Sequence, residues 1–492
     1  MELIWKELEA ERLFERRRVQ VRIEGELPSP DGRSIAEVIS CTGRVCLTGA
    51  SAEADEVRLE GRIDVMLTVS DGEGAPFGFE SGANFRHTVS LPGAHKGMIA
   101  AAIPSVQSLT AIPRGASAGL EASVDIDLRV VSAAPMRVTG GVDGVSDLEL
   151  KTVSAAHGSL RETGRETLRL REELSAEGLG DVLSCEGFVS IRDVSLEDGA
   201  ASVSGQVSVS AIVLDREGRL CQLVRSLPFR ERIAADSPSG EAYCRAELKS
   251  LYLRSLGEDF GIAAMEAEID FTVLTLERKT VNVPVDAFSP SIGFGCLSES
   301  VNVTEDLGRI SLRLSLQEEL RLPEGSEAAK RPVCASAVPV ITEAVPEDGR
   351  IELNGVLVTS AVYENGSGSL SAFACDVPFS ASMEAPAGVN AVMASAACVC
   401  ELKGAGAESL AAEYTLELDA DCYREEELSV LAGLAECERP ERPHGISVCF
   451  ASGGEDAFDA AKRFGIPCRL VRELNPDVKE PYSEGDKLIV LA

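Results

Sequence analysis

Three stretches of this chain repeat one another in register. Residues 41–89, 185–233 and 334–383 align with Cys41, Cys185 and Cys334 as counterparts, then Gly61, Gly205 and Gly355, then Phe85, Phe229 and Phe379. The offsets between copies are 144 and then 149 to 150 residues. A period that long reads as one domain used three times, so whatever the unit folds into, the chain holds three of them. At 492 residues there is room for three such domains and one small extra module, each able to bury a core.

The unit is β-rich. Val57, Leu59, Ile63, Val65, Leu67 and Val69 alternate with Arg58, Glu60, Arg62 and Asp64, the period-2 pattern of a strand with one buried and one wet face. The second copy repeats this from Val203 to Val213 and the third from Ile351 to Tyr363. Each run ends in a turn: Asp71-Gly72-Glu73-Gly74, Asp215-Arg216-Glu217-Gly218 and Glu364-Asn365-Gly366. Glycine and Asn supply the positive φ of a tight reversal, so each run pairs with the next as a hairpin. The EF-hand spacing of oxygen ligands, with Glu at the twelfth position, is missing from these turns. Asn84-Phe85, Leu227-Pro228-Phe229 and Val377-Pro378-Phe379 come next, and a late alternating strand closes each copy at Leu120 to Val130, Met265 to Thr275 and Leu410 to Ala420. The expected fold class is mainly β, with three tandem sandwiches or partly open barrels over 19–147, 165–290 and 310–424.

The connecting segments carry their own signals. Residues 1–18 place Leu3, Ile4, Leu8 and Leu13 among charges and read as an N-terminal helical segment without the apolar core of a secretory signal. Val142-Asp143-Gly144-Val145-Ser146 and Val285-Asp286-Ala287-Phe288-Ser289 resemble each other, so the joints are structured. Residues 425–444, with Glu425-Glu426-Glu427 and Glu438-Arg439-Pro440-Glu441-Arg442-Pro443, read as an acidic, Pro-rich spacer that leaves the C-terminal tail free to move.

From 445 to 492 the pattern changes to strand, Gly453-Gly454 turn, a helix from Asp456 to Phe464, a second helix near Cys468 to Leu474, and a strand from Lys487 to Leu491. Asp456 precedes Ala457, Ala460, Ala461 and Phe464 and is placed to cap that helix, with Asp459 adding negative charge to its first turn.

Composition narrows the function. Forty-seven basic and 80 acidic side chains give a net charge of −33, which repels nucleic acid and anionic membrane surfaces. No stretch reaches the ~18 uncharged apolar residues of a membrane span, so membrane insertion is not expected. Fourteen cysteines without a CxxC pair form no zinc pattern. Within strands they serve as small buried apolar groups, late oxidative cross-linking being the other reading. His87, His95, His157 and His444 are scattered, and no G-x-S-x-G, P-loop, G-x-G-x-x-G or H-E-x-x-H motif occurs. Aromatic residues are only 4%, and the single Trp5 lies outside the repeats, which leaves a glycosidase groove without its usual lining. The expectation is a non-enzymatic protein with no cofactor and no metal site.

The tail resembles the LysM module. The residues that carry this are Gly454-Glu455-Asp456-Ala457-Phe458-Asp459-Ala460-Ala461-Lys462-Arg463-Phe464, then Leu470-Val471-Arg472-Glu473-Leu474-Asn475-Pro476, then Gly485-Asp486-Lys487-Leu488-Ile489-Val490. The resemblance implies a shallow groove that holds N-acetylglucosamine glycans, lined by Gly454, Glu455, Asp456 and Ala457 on one side and Asn475, Pro476 and Asp477 on the other. Where the module usually has Asp-Thr this chain has Glu455-Asp456, which adds negative charge and removes a hydroxyl. Three β repeats followed by LysM are similar to the SPOCS-domain proteins of spore-forming Firmicutes, in particular those of the SipL type. That resemblance implies a spore coat assembly scaffold made in the mother-cell cytoplasm and recruited to the forespore surface, with LysM contacting a morphogenetic ATPase-type protein of the coat basement. The alternative it leaves open is a peptidoglycan-binding protein whose repeats are spacers.

Overall fold

In a computed structural model the described residues are 3–8, 10–175, 179–236, 240–255, 262–438 and 445–491. Of these described residues strand takes 76% and helix 4%, so the fold class is mainly β. The first unit consists of β1 (Leu3–Leu8), β2 (Arg12–Pro28), β3 (Glu37–Glu53), β4 (Glu56–Ser70), β5 (Pro76–Ser90), β6 (Ile99–Pro113), β7 (Ser117–Ser132) and β8 (Met136–Val142). The second consists of β9 (Glu149–Ser175), β10 (Leu179–Glu197), β11 (Ala200–Asp215), β12 (Leu220–Ala234), β13 (Ala242–Ser255) and β14 (Ile262–Phe288). The third consists of β15 (Phe294–Arg321), β16 (Ala329–Glu347), β17 (Arg350–Asn365), β18 (Leu370–Glu384), β19 (Ala391–Ala405) and β20 (Ser409–Glu436). The tail holds β21 (Ile446–Phe450), α1 (Ala457–Phe464), α2 (Cys468–Leu474) and β22 (Lys487–Leu491).

Each unit is a sandwich of two antiparallel three-stranded layers. One layer is a meander, β3-β4-β5, β10-β11-β12 or β16-β17-β18. The other pairs the last strand between the first and the fifth, as β2-β7-β6, β9-β14-β13 and β15-β20-β19, and β2 meets β15 at a single Val303–Arg12 bridge. Alternation dictates the cores: Val57, Leu59, Ile63, Val65, Leu67 and Val69 are all fully buried against Leu120, Val124, Ile126 and Leu128 of the facing layer. Each such side chain contributes about 1.5–3 kcal/mol by leaving water.

The ladders of the three units bulge at the same places. In β3, β10 and β16 the register shifts after Leu47, Ile191 and Ile341, which pair with Gly61, Gly205 and Gly355. Those glycines face Phe85, Phe229 and Phe379 on the next strand. One aligned pair shifts: Cys334 pairs with Val362 where Ser184 pairs with Ile212, so Ala335, not Cys334, matches Cys185. A slip of one residue sends a strand side chain to the other face, and Cys334 accordingly joins a cluster between units with Ile39, Ile212 and Val333.

Two expectations are corrected. The described residues among 1–18 are not helical: β1 pairs with β8 and β2 with β7. Leu3 packs among Val142, Ala287 and Leu431, and this long-range pairing outweighs local propensity. Residues 425–436 are not a spacer either, because β20 runs on through Glu425-Glu426-Glu427 paired to Thr304, Val303 and Asn302 of β15. The Pro-rich part, 439–444, lies outside the described residues. The outer halves of β9 and β14, β15 and β20, and the β1–β8 pair thus form three two-stranded ribbons, packed together through Val138, Val283 and Val430.

Candidate functional site

The tail is built as its sequence suggests. Asp456 caps α1: its Oδ1 accepts from the Asp459 amide at 3.0 Å, and the Asp459 carboxylate accepts from the Asp456 amide at 3.2 Å. Gly465 closes the helix at φ +63°. Asn475, expected to line a groove, is instead buried and used up internally. Its Nδ2 donates to Val471 O at 2.8 Å and Ile489 O at 2.9 Å, and its Oδ1 accepts from the Ile489 amide at 2.6 Å, so it ties α2 to β22.

The other groove residues divide in two. Gly454 sits at φ +88° and its amide donates to Tyr482 O at 2.9 Å, while Glu455 accepts from the Ser452 amide at 2.8 Å and from Arg463 at 3.1 Å. The amide of buried Ala457 donates to Glu480 at 3.2 Å. Pro476 and Asp477 are exposed on the far side. Glu480, a residue that the motif did not single out, links the first side to α2, accepting from the Ala457 amide and from Arg472 at 2.8 Å.

The tail does not hang free, contrary to the spacer reading. Lys151 of β9 donates to both oxygens of Asp459 at 2.8 Å and lies 3.0 Å from Asp456, a residue of one wall of the expected groove. Lys462 reaches Asp286 of β14 at 2.5 and 2.7 Å, Phe458 packs edge-on to Phe288 with ring centroids 5.0 Å apart, and the Cys468 amide donates to Glu149 at 2.9 Å. Burial pushes the Asp286 carboxyl up, but the Cys296 thiol and Lys462 outweigh it and hold it below the usual aspartate range. Asp456 follows the same balance, with the Asp459 amide and Lys151 prevailing over burial. Asp286 was legible as part of a joint motif and Lys462 as part of the helix motif; that they bond each other was not.

A second concavity, of ≈ 790 Å³, lies where the three units meet. Its walls are the edge strands of each sandwich: β3 and β6, β10 and β13, β16 and β19. Arg44 donates to Leu248 O and Lys249 O at 2.6 Å, carbonyls at the β13 bulge. Asp421 holds Arg309 at 2.9 Å and Arg245, from the second unit, at 3.2 Å. Thr42, Glu186 and Ser336 share one register position and all face the cavity. Burial raises Glu186 to about 7 against the pull of a Thr42 hydrogen bond. Burial also lifts the surrounding thiols of Cys41, Cys185 and Cys400 to about 12, with Glu186 adding to the shift. All fourteen cysteines are free; Cys185, Cys244, Cys334, Cys400, Cys422 and Cys468 are buried, while Cys437 is exposed. Among the described residues no group of His, Cys, Asp and Glu is arranged to hold a metal, and no helix is long and apolar enough to cross a membrane. No family model, curated protein or solved structure matches the chain.

Proposed function

We propose that the chain is a non-enzymatic scaffold of spore coat or envelope assembly, whose LysM-like tail docks it to a coat-basement protein of the morphogenetic ATPase type. The observation that carries this reading is the anchoring of the tail. Lys151, Asp286, Phe288 and Glu149 belong to the ribbon that joins the second unit to its neighbours, so the module is presented by a body of three sandwiches rather than trailing from it. A module presented in fixed orientation loses less freedom on binding than a tethered one. The three units belong to a chain of net charge −33, and several weak contacts from one body add through effective concentration.

The pairing of Asp456 with Lys151 weighs against the glycan alternative, because that wall residue is already engaged in an ion pair that holds the tail in place. The two readings separate in one experiment on the full chain. Tagged protein purified from sporulating cells brings down an ATPase-type partner under the docking reading, and it stays in the supernatant when mixed with insoluble peptidoglycan. Sedimentation with peptidoglycan and no protein partner would reverse the choice.

A further inference from the structure

The tail has a second face, turned away from its helices. In β21 and β22 Ile446 pairs with Leu491 and Val448 with Ile489. Alternation sends Leu488 and Val490 inward against Phe458 and Val471, and sends Ile446, Val448, Phe450, Ile489 and Leu491 outward. The outward five are 76, 60, 61, 40 and 40% exposed. Elsewhere among the described residues the exposed large apolar side chains stand one or two to a strand. A two-stranded sheet that shows roughly 500 Å² of contiguous apolar surface matches the patches that mark binding sites on otherwise well-packed proteins.

We propose that this sheet face, not the groove, is the docking surface, and that its occupant is an amphipathic helix of a different protein, apolar along one stripe with a carboxylate at one end. The inference rests on the docking reading above. Three features select the occupant. Asp456 on the groove side is already paired with Lys151, whereas nothing in the described residues covers the sheet face. A second copy brings another −33 of charge against a chain that already carries it, so the occupant is a different protein. Lys487 stands on the same face, opposite Phe450, exposed and without an ion pair among the described residues, so one end of the stripe calls for an acid. Five-residue strands span about 17 Å, the length of about three helical turns.

The test places a photoreactive amino acid in the full chain at 448, 489 or 477 in sporulating cells, with the melting temperature of each purified variant as the fold control. The proposal expects adducts from 448 and 489 to one protein, through a peptide with apolar residues three and four apart and a neighbouring acid. It also expects at least a fivefold loss of adduct when Lys487→Glu is added. An adduct from 477 alone overturns the face assignment and leaves the docking reading standing. A differently tagged second copy, a lipid or a glycan as the adduct overturns the proposal. Absence of protein adducts at all three positions removes both.

Discussion

A phenyl ring lies across a glycine once in every sandwich, and each glycine faces a bulge on its other side. At Gly61 an added methyl group would meet Phe85 Cζ at 2.6 Å and Cys46 O at 2.8 Å, one of them backbone. Gly61→Ala is therefore expected to lower stability by about 1–3 kcal/mol through overpacking, read as the denaturation midpoint. Gly49→Ala, with nothing within 4 Å, leaves the midpoint unchanged or slightly raised. The glycine and the phenylalanine were legible as repeated letters; that they are cross-strand partners required the register. Glu186 was not legible at all, since nothing in the strand pattern distinguishes it from the acids of a wet face. Its carboxyl is raised to about 7 by burial. Between its ordinary value of 4.5 and about 7 the folded state holds more protons than the unfolded one, so this group makes stability fall as pH rises through that window. Glu186→Gln is expected to raise the melting temperature at pH 8 and to leave it unchanged at pH 4; equal shifts at both would mean that the carboxyl is not perturbed.

Among the elements, the strands with clean alternation were readable because a half-buried face imposes period 2, and β4, β7, β11, β14, β17 and β20 lie where that pattern runs. The hairpins before them carried an unused signal: Asp198-Gly199 and Asp348-Gly349 both have positive φ at each residue, which only short polar residues and glycine adopt readily. The turns after them were read as glycine-driven, yet the third places positive φ at Gly368, two residues beyond Gly366. There Asp71, Asp215 and Asn365 do the same work, each accepting two amides of its own turn. The helical reading of 1–18 and the spacer reading of 425–436 failed for one reason. Both segments complete ribbons whose partners are about 110 or more residues away, and pairing at that distance leaves no trace in local composition. The dock of the tail gives this scale its prediction. Lys462→Glu places two carboxylates together at Asp286, so amides of α1 should exchange at least tenfold faster while those of β17 do not change. Acid does the same by another route. Asp286 and Asp456 titrate below the ordinary 3.8, so their contribution is complete above about pH 4 and is lost as pH falls through their folded values. A distance between spin labels on α1 and β17 should therefore hold from pH 7 to about 4 and broaden below.

For the whole molecule, the consequential feature is that three sandwiches share one centre. Thr68 bonds Ser184, Gln222 reaches Ala335 O and Cys400 O, and Arg129 reaches Thr304 while stacking 3.9 Å over Tyr423, so each unit is tied to both others. Tandem repeats in sequence announce three units but not whether they string out or close up. The contacts that close them join residues such as Arg44 and Leu248 that no period relates. A closed body that carries its tail on a ribbon suits a scaffold that must present one docking module in a fixed direction. The most direct test of that role follows the full chain and a chain ending at residue 438, both as fluorescent fusions, in sporulating cells. A docking tail gives a shell of fluorescence around the forespore for the full chain and a diffuse mother-cell signal for the shortened one; a shell formed equally well without the tail would contradict it.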